Sequence, residues 1–337
     1  MPIDTPTAAT AADALPELSF NAGSSDQSLF LRVMDEVRPA RAGEAREKGS
    51  ESESQLQVPR PGETSIEKIT LPDGSEAPYR LHVPKDYDGK TPLPVVFMFH
   101  GYGMRRGQGD TDKGARGMEE VSGLSNLADR EKFIAVYPDG NPKSSYSWNN
   151  GQWFFSGRDD KALTSGIMDT LKEKLKVDEN RMYIIGYSQG GSFSHRVANE
   201  LSERVAAIVE NGGWMTGKEK QPHKPFPIMS IQSKTDGTVP MDGNPWYSIT
   251  MKPEVYTQDF YKRAHGIEGA PEVAKRTGKD GTEVEELVWK APSGAEVKTM
   301  LLNNQGHLWY GGKGAEVAPI NTTEEAWNFL KRFSRHQ

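Results

Sequence analysis

The chain has 337 residues, a formal net charge of −6 and no cysteine. This length is enough for one large α/β domain with a tail, or for two modest domains. The acidic balance, with no cluster of Lys and Arg interleaved with aromatic residues, argues against nucleic acid as a partner, and the lack of cysteine excludes disulfides, cysteine nucleophiles and thiolate metal sites.

The first part of the chain, residues 1–62, is rich in Ala, Ser, Glu, Arg and Pro and has one clearly apolar cluster, residues 29–34. Such a composition buries too little apolar surface to offset the entropy of ordering. We expect a flexible polar leader with one short helix from Ser28 to about Val37, which either docks on the folded domain or binds a partner. No apolar run approaches the roughly 20 residues of a membrane span, and the first residues lack the basic and apolar regions of a signal peptide. The sequence therefore predicts a soluble protein without a visible export signal.

Apolar segments that alternate with helical patterns begin near Thr64. Alternating apolar residues on both sides of Pro72-Asp73-Gly74 predict a β-hairpin. Continuous apolar runs predict buried strands at residues 95–99, 133–137, 206–209, 227–231 and 297–302. Helical spacing over residues 163–175 predicts one helix, and Thr322-Thr323-Glu324-Glu325 is typical of a capping box that opens a terminal helix. This order predicts an α/β fold, a mostly parallel twisted sheet with helices on both faces, in one domain over residues 63–337.

The pentapeptide Gly186-Tyr187-Ser188-Gln189-Gly190 matches the pattern Gly-x-Ser-x-Gly. Residues 182–185 before it indicate a short buried strand, and Phe193, Val197 and Leu201 after it recur at the spacing of one helix face. A nucleophilic serine needs such a sharp turn between strand and helix, where glycines avoid collisions with the neighbouring elements. The motif therefore predicts Ser188 as a nucleophile.

A serine hydroxyl is a poor nucleophile at neutral pH, so Ser188 requires a histidine base, and the histidine requires a carboxylate partner. In α/β-hydrolases the chain order is serine, acid, histidine. The histidines after Ser188 are His195, His223, His265, His307 and His336. His307 differs from the others because it lies in a Gly-containing loop just past a predicted strand. His195, by contrast, belongs to the helix predicted directly after Ser188, in the turn called the nucleophile elbow. We therefore predict His307 as the base.

The acid is expected at the end of a strand that lies between Ser188 and His307 in the sequence. Asp236 follows such a predicted strand, which makes it the first choice. Asp242 in a second turn remains the alternative, although an Asp before a Gly is typical of simple turns. Asp139 precedes the serine, so the chain order argues against it.

Acyl transfer also needs two backbone N–H donors for the developing oxyanion. One is expected from Gln189, the residue after the nucleophile. The other is expected from His100-Gly101-Tyr102-Gly103, which follows an early buried strand and contains glycines that let amides point inward. We assign this donor to Tyr102, with Gly103 as the neighbouring candidate, and predict that His100 stabilises the loop.

Four segments together resemble the α/β-hydrolases of the polyhydroxybutyrate depolymerase and feruloyl esterase type, including acetylxylan esterase-like members. The segments are His100-Gly101-Tyr102-Gly103, the pentapeptide around Ser188, Thr235-Asp236 with Val239-Pro240, and Gly306-His307-Leu308-Trp309. The resemblance implies a serine carboxylic ester hydrolase that works through an acyl-enzyme, without cofactor or metal. The implied substrates are feruloyl, acetyl or other short acyl esters of polysaccharides or polyesters. By position, it implies Ser188 as nucleophile, His307 as base, Asp236 as acid, and the amides of Tyr102 and Gln189 as the oxyanion hole.

Aromatic residues are concentrated around the predicted site, and rings at loop positions can bind a phenolic acyl group or a sugar. The candidates for substrate contact are Trp148, Trp214, Trp246 and Trp309. We expect Trp309 above all to reach the substrate, because it lies close to His307 in the sequence.

The sequence leaves the natural substrate and two alternative functions undecided. Tyr102 stands where members of the resembling family often carry cysteine, which leaves the natural ester undecided. A serine peptidase is an alternative function, since the same triad cleaves amides, and a non-catalytic binding protein that retains the fold is another. The resemblance implies a secreted or periplasmic location, and the oligomeric state is unknown.

Overall fold

The computed structural model describes residues 59–104, 113–246 and 249–335, so the predicted leader helix lies outside the described residues. The strands are β1 (Thr64–Thr70), β2 (Glu76–His82), β3 (Leu93–Phe99), β4 (Ile134–Pro138), β5 (Val177–Tyr187), β6 (Ala207–Asn211), β7 (Ile228–Ser233), β8 (Asn244–Trp246), β9 (Ile249–Met251), β10 (Glu272–Thr277), β11 (Glu283–Lys290) and β12 (Glu296–Leu302). The helices are α1 (Lys113–Ser122), α2 (Leu124–Glu131), α3 (Asp160–Lys174), α4 (Gln189–Glu200), α5 (Glu254–His265) and α6 (Thr322–Leu330).

One large sheet organises the described residues. Its strand order is β1-β2-β4-β3-β5-β6-β7-β12-β11-β10. The central strands from β4 to β12 run parallel, whereas the pairs at both edges are antiparallel. The predicted α/β class and mostly parallel sheet are therefore confirmed. Because the carboxyl ends of parallel strands meet at one edge, the loops after β3, β5, β6, β7 and β12 lie side by side.

Helices cover both faces of this sheet. Strand β3 is buried along its whole length, as expected for a central parallel strand. Its side chains alternate between two cores: Phe97 belongs to the core that includes Ile167 of α3, and Met98 to the core that includes Trp327 of α6. The loops at the carboxyl edge of the sheet therefore rest on a rigid frame.

Strands β10 and β11 extend the sheet at an edge that the sequence pattern did not predict. All six residues of β10 are exposed, so the strand lacks the alternation of apolar and polar residues. It pairs with β11 in an antiparallel ladder, and its charged side chains face glutamates of that strand, with Lys275 3.1 Å from Glu283 and Arg276 3.0 Å from Glu286. Such charges also discourage an edge strand from pairing with another chain.

The terminal helix α6 begins at Thr322, and Asn321 is its N-cap. The Asn321 side-chain oxygen accepts a hydrogen bond from the Glu324 backbone N–H at 3.1 Å. The predicted capping box with Thr322 as the cap is therefore wrong by one residue. Across the described ranges, no helix is both long and apolar enough to cross a membrane.

Candidate active site

Ser188 alone forms the turn between β5 and α4. Its backbone adopts φ 55° and ψ −123°, a conformation that costs a non-glycine residue on the order of 1–3 kcal/mol. The Ser188 N–H donates to the Asn211 carbonyl at the end of β6 at 2.9 Å, which ties the turn to the neighbouring strand. This strained turn is the geometry that presents a nucleophile at the carboxyl edge of a parallel sheet.

Gly190 lies where α4 meets the loop after β3. A Cβ at this position would lie 2.4 Å from the carbonyl oxygens of both Phe99 and His100. We expect Gly190→Ala to lower the free energy of unfolding by about 1–3 kcal/mol, as overpacking does. Thermal denaturation measures the loss, and Gly157→Ala is the control because nothing lies within 4 Å of a Cβ there. A Gly190→Ala protein as stable as this control would contradict the close packing of the elbow.

His307 is hydrogen-bonded to the buried side chain of Asp236, at 2.6 Å between Nδ1 and Oδ2. The other Asp236 oxygen accepts from the N–H groups of Thr238 and Val239, both at 2.8 Å. Because the carboxylate only accepts, Nδ1 carries the proton and Nε2 keeps its lone pair. This Nε2 is buried and has no hydrogen-bond partner among the described residues. Asp242, the alternative acid, is exposed in the turn before β8.

The loop that carries His307 is fixed by residues next to the nucleophile. The Tyr187 hydroxyl donates to the His307 carbonyl at 3.0 Å, and its ring stacks on the imidazole with centroids 5.2 Å apart. The Asn211 side-chain amide donates to the Leu308 carbonyl at 2.9 Å. Tyr187 directly precedes Ser188, and the Asn211 carbonyl accepts the hydrogen bond from the Ser188 N–H. Both residues therefore fix the imidazole relative to the serine. Sequence reasoning missed these two positioning residues.

Two backbone amides next to Ser188 are available as donors. The Gln189 N–H is the first of α4 and has no acceptor within the helix. In the loop after β3, the N–H of Tyr102 finds no acceptor among the described residues, whereas that of Gly103 already donates to a backbone carbonyl at 3.2 Å. A Cβ at Gly101 would lie 3.2 Å from the Ser188 Cβ, so this loop passes directly beside the nucleophile. The geometry thus favours Tyr102 over Gly103 as the second donor.

His100 is fully buried behind the same loop. Its Nδ1 lies 2.8 Å from the Gly101 carbonyl, and its Nε2 accepts from the Gly140 N–H at 2.9 Å. Asp139 Oδ1 lies 3.1 Å from the same Nε2. A neutral imidazole with its proton on Nδ1 satisfies both backbone groups, which agrees with the predicted role of His100 in stabilising the loop.

The histidines of α4 and α5 are buried core residues. His195 Nδ1 lies 3.2 Å from the Tyr261 hydroxyl, and burial lowers the pKa of His195 to about 3. His265 Nε2 donates to the Phe226 carbonyl at 2.9 Å, and burial lowers the pKa of His265 to about 4. Both side chains are therefore neutral at physiological pH and belong to the packing of the domain.

A narrow cleft opens beside Ser188 and Gln189. Its wall includes Tyr102, Phe154, Phe155, Trp214, Ile249 and Met251. Of the predicted substrate contacts, Trp214 lines this cleft. The enclosed space is about 10 Å³, room for about one water molecule.

Two predicted aromatic contacts are wrong. Trp148 is fully buried, and its Nε1–H donates to the His100 carbonyl at 2.8 Å. Trp309 is 3% exposed and donates to the Thr323 hydroxyl at 3.0 Å, within the core on the α6 side of the sheet. Closeness to the base in sequence does not set the direction of a ring, and the apolar surface of both indoles is used in packing. Trp246 lies in β8, and its side chain is outside the described residues.

Two buried carboxyl groups lie behind the site. Glu210 on β6 accepts from the Gln232 side-chain amide at 2.9 Å, and Glu254 at the start of α5 accepts from the Thr299 hydroxyl at 2.9 Å. Glu210 also accepts from the Gly213 N–H at 2.6 Å, which holds the turn after β6. Burial raises the pKa of Glu210 to about 7, and burial together with the charge of Glu210 raises the pKa of Glu254 to about 8. The pair therefore holds at least one proton at neutral pH.

We expect Glu254→Gln to gain stability relative to the wild type as the pH rises. Both pKa values lie above the ordinary 4.5, so the folded protein keeps protons that the unfolded chain loses. Wild-type stability is then full below about pH 4.5 and falls as the pH rises towards 8. Gln stays neutral and removes part of this loss, about 1–3 kcal/mol at pH 8. Urea denaturation at both ends of this range measures the difference, with exposed Glu173→Gln as the control. An effect of Glu254→Gln that does not change with pH would contradict the shared proton.

Comparison with known proteins adds to this geometry. Residues 73–210 match a family described as "Putative esterase". Feruloyl esterase D of Neurospora crassa is 23% identical over 316 residues, which cover 90% of this chain and 97% of that protein. The bifunctional acetylxylan esterase/xylanase XynS20E of Neocallimastix patriciarum is 22% identical over 209 residues, which cover 62% of this chain and 28% of that protein. The chain thus spans less than a third of that relative's length.

A solved structure has the same fold. Acetyl xylan esterase from Aspergillus awamori matches with a TM-score of 0.54 at 14% identity, over 79% of this chain and 99% of that chain. At this identity, the likeness concerns the fold alone. It agrees with the α/β class of the described sheet.

Proposed function

We propose that this chain, which belongs to the α/β-hydrolase esterases, is a carboxylic ester hydrolase for feruloyl, acetyl or other short acyl esters of polysaccharides or polyesters. One observation carries the proposed site. His307 is bound to buried Asp236 at 2.6 Å, and its Nε2 is unpartnered in the described residues. The loop that holds it is fixed by the residues flanking the strained Ser188. The names of the feruloyl and acetylxylan relatives support the choice of substrates.

In the proposed acylation step, the Ser188 hydroxyl attacks the ester carbonyl while His307 Nε2 takes its proton. Asp236 holds the tautomer and stabilises the imidazolium that forms. The backbone N–H groups of Tyr102 and Gln189 stabilise the oxyanion. The imidazolium then gives its proton to the leaving alcohol, and the acyl group stays on Ser188.

In the proposed deacylation step, water attacks the acyl-enzyme from the side that the alcohol has left. His307 Nε2 takes a proton from this water, and the same two amides stabilise the second oxyanion. Collapse of the intermediate releases the acid and returns the proton to Ser188.

A substrate panel tests the proposal. It contains p-nitrophenyl acetate, methyl ferulate, acetylated xylan, polyhydroxybutyrate and a peptide p-nitroanilide, each with wild type and Ser188→Ala. We expect the wild type to hydrolyse at least one of the esters, to leave the anilide intact, and to lose ester hydrolysis when Ser188 is replaced. Cleavage of the anilide alone would favour the peptidase alternative, and no ester turnover would contradict the proposal.

We also propose that the enzyme acts outside the cytoplasm, because polymeric esters do not cross membranes. Fractionation of the source cells, with activity measured on p-nitrophenyl acetate, tests this location. We expect the activity in the medium or periplasm. Its recovery with a cytoplasmic marker would contradict the proposed location.

A further inference from the structure

Trp214 lines the cleft and carries an unpaired hydrogen-bond donor. Its side chain is 5% exposed and lines the cleft beside Ser188, with its ring 6.4 Å from that of Phe155. Its Nε1–H is buried and has no acceptor among the described residues. A buried donor left unpaired costs about 1–3 kcal/mol, so a ligand oxygen that accepts from it recovers much of this energy.

Other buried tryptophans show that this unpaired donor is not a general feature of the fold. Trp148, Trp309 and Trp327 each donate to a protein oxygen, at 2.8, 3.0 and 2.8 Å. Trp289 also lacks an acceptor within the described residues, but it lies on β11 near the edge of the sheet. Trp214 therefore differs from Trp289 because it lies in the cleft beside Ser188. It differs from Trp148, Trp309 and Trp327 because its N–H has no acceptor among the described residues.

The backbone on both sides of Trp214 is fixed before any ligand binds. Glu210 accepts from the Gly213 N–H at 2.6 Å, and Gln232 donates to the Gly213 carbonyl at 3.1 Å. The carbonyl of Met215 accepts a backbone hydrogen bond at 2.8 Å from the segment after β9. A backbone fixed on both sides limits how far the Trp214 side chain can shift, as a specificity contact requires.

The cleft wall also includes Tyr102 and Thr238, whose side chains carry hydroxyl groups, but among the described lining residues only Trp214 has a buried donor without a partner. The Gln189 side chain is already bound to both backbone groups of Trp148, at 2.9 and 2.7 Å. Phe154 and Phe155 are apolar. An oxygen atom on a bound acyl group would lose its water here, and the Trp214 N–H is the buried donor that can replace it.

We propose that the Trp214 Nε1–H donates a hydrogen bond to an oxygen on the acyl group of the substrate and so selects acyl groups that carry an acceptor. This inference rests on the proposed ester hydrolysis at Ser188. An indole N–H only donates, so an ether oxygen serves as well as a hydroxyl. The acceptor belongs either to a ring substituent of a hydroxycinnamoyl group or to a short oxygenated acyl chain.

Matched methyl esters test the inference, because their leaving alcohol is constant. One pair is methyl cinnamate and methyl 4-methoxycinnamate, and the other is methyl butyrate and methyl 3-methoxybutyrate. We expect the wild type to favour the methoxy member of one pair by about 3- to 10-fold in kcat/KM. Trp214→Phe, which keeps an aromatic ring but removes the donor, should lower kcat/KM for the methoxy ester by about 3- to 10-fold more than for the unsubstituted ester and so abolish the preference.

Trp289→Phe is the matched control, because it removes another unpaired buried N–H without touching the cleft wall. We expect it to keep the wild-type preference. Wild-type protein that hydrolyses both members of each pair equally would overturn the inference, and this result needs no folded variant. A preference that survives in Trp214→Phe would also overturn it, and both results leave the proposed ester hydrolysis standing. No turnover of any ester would overturn the proposed function and this inference with it.

Discussion

Replacing Ser188 with alanine should lower kcat for ester hydrolysis by about 10⁴- to 10⁶-fold. The variant keeps the cleft and the oxyanion donors but has no oxygen with which to form an acyl-enzyme. Steady-state rates with p-nitrophenyl acetate measure the loss, above the spontaneous hydrolysis of this activated ester. We expect the melting temperature to stay at or above the wild-type value. Alanine can adopt the same strained backbone conformation as Ser188, and the substitution removes one polar hydroxyl group from the turn.

The control for this experiment is a serine in the helix that follows Ser188. Ser194 lies in α4, and its hydroxyl donates to the Gly190 carbonyl at 2.8 Å within the core. Ser194→Ala should leave kcat within a few-fold of the wild type. Ser188→Ala protein that is folded and turns over esters at the wild-type rate would show that another residue is the nucleophile.

Asp236→Asn should lower kcat by about 10⁴-fold. In the wild type, the carboxylate accepts from His307 Nδ1 at 2.6 Å and leaves Nε2 free to take the serine proton. An asparagine amide can instead donate to Nδ1, which favours the tautomer with the proton on Nε2. That tautomer cannot act as a base toward Ser188. A pH profile of kcat/KM for wild type and variant measures the effect and separates it from a loss of folded protein.

Asp242→Asn provides the matched control, because it makes the same chemical change in an exposed turn six residues further on (242 − 236). We expect this variant to keep its activity within about twofold. The reverse result, in which Asp242→Asn is inactive and Asp236→Asn is active, would assign the acid to the second turn and would require the loop to rearrange during catalysis.

The core of the candidate site could be predicted because it follows from local patterns and chain order. The elbow around Ser188 is a short motif between an apolar strand and an amphipathic helix, and both elements are formed as expected. Asp236 and His307 follow the predicted strands that became β7 and β12, which are paired in the sheet. Strand ends of a parallel sheet converge, so residues distant in sequence could be assigned to one site.

The wall of the cleft could not be predicted in the same way, because it depends on the direction in which each ring points. Trp309 lies close to His307 in sequence yet turns into the core, whereas Phe154 and Phe155 line the cleft from a loop. The burial of Glu210 could not be predicted either, because this residue directly follows an apolar run and its position indicates only the end of a strand. Its buried contacts arise only when β6, β7 and α5 come together.

We propose above all that Ser188 carries the acyl group during ester hydrolysis. Rapid acid quenching of the wild-type enzyme with excess p-nitrophenyl acetate, followed by peptide mass spectrometry, tests it most directly. We expect an acetyl group on the peptide that contains Ser188, formed within the first turnover, and a markedly slower loss of this group in Asp236→Asn. Ester turnover without acetylation of that peptide, or with the acetyl group on another residue, would contradict it.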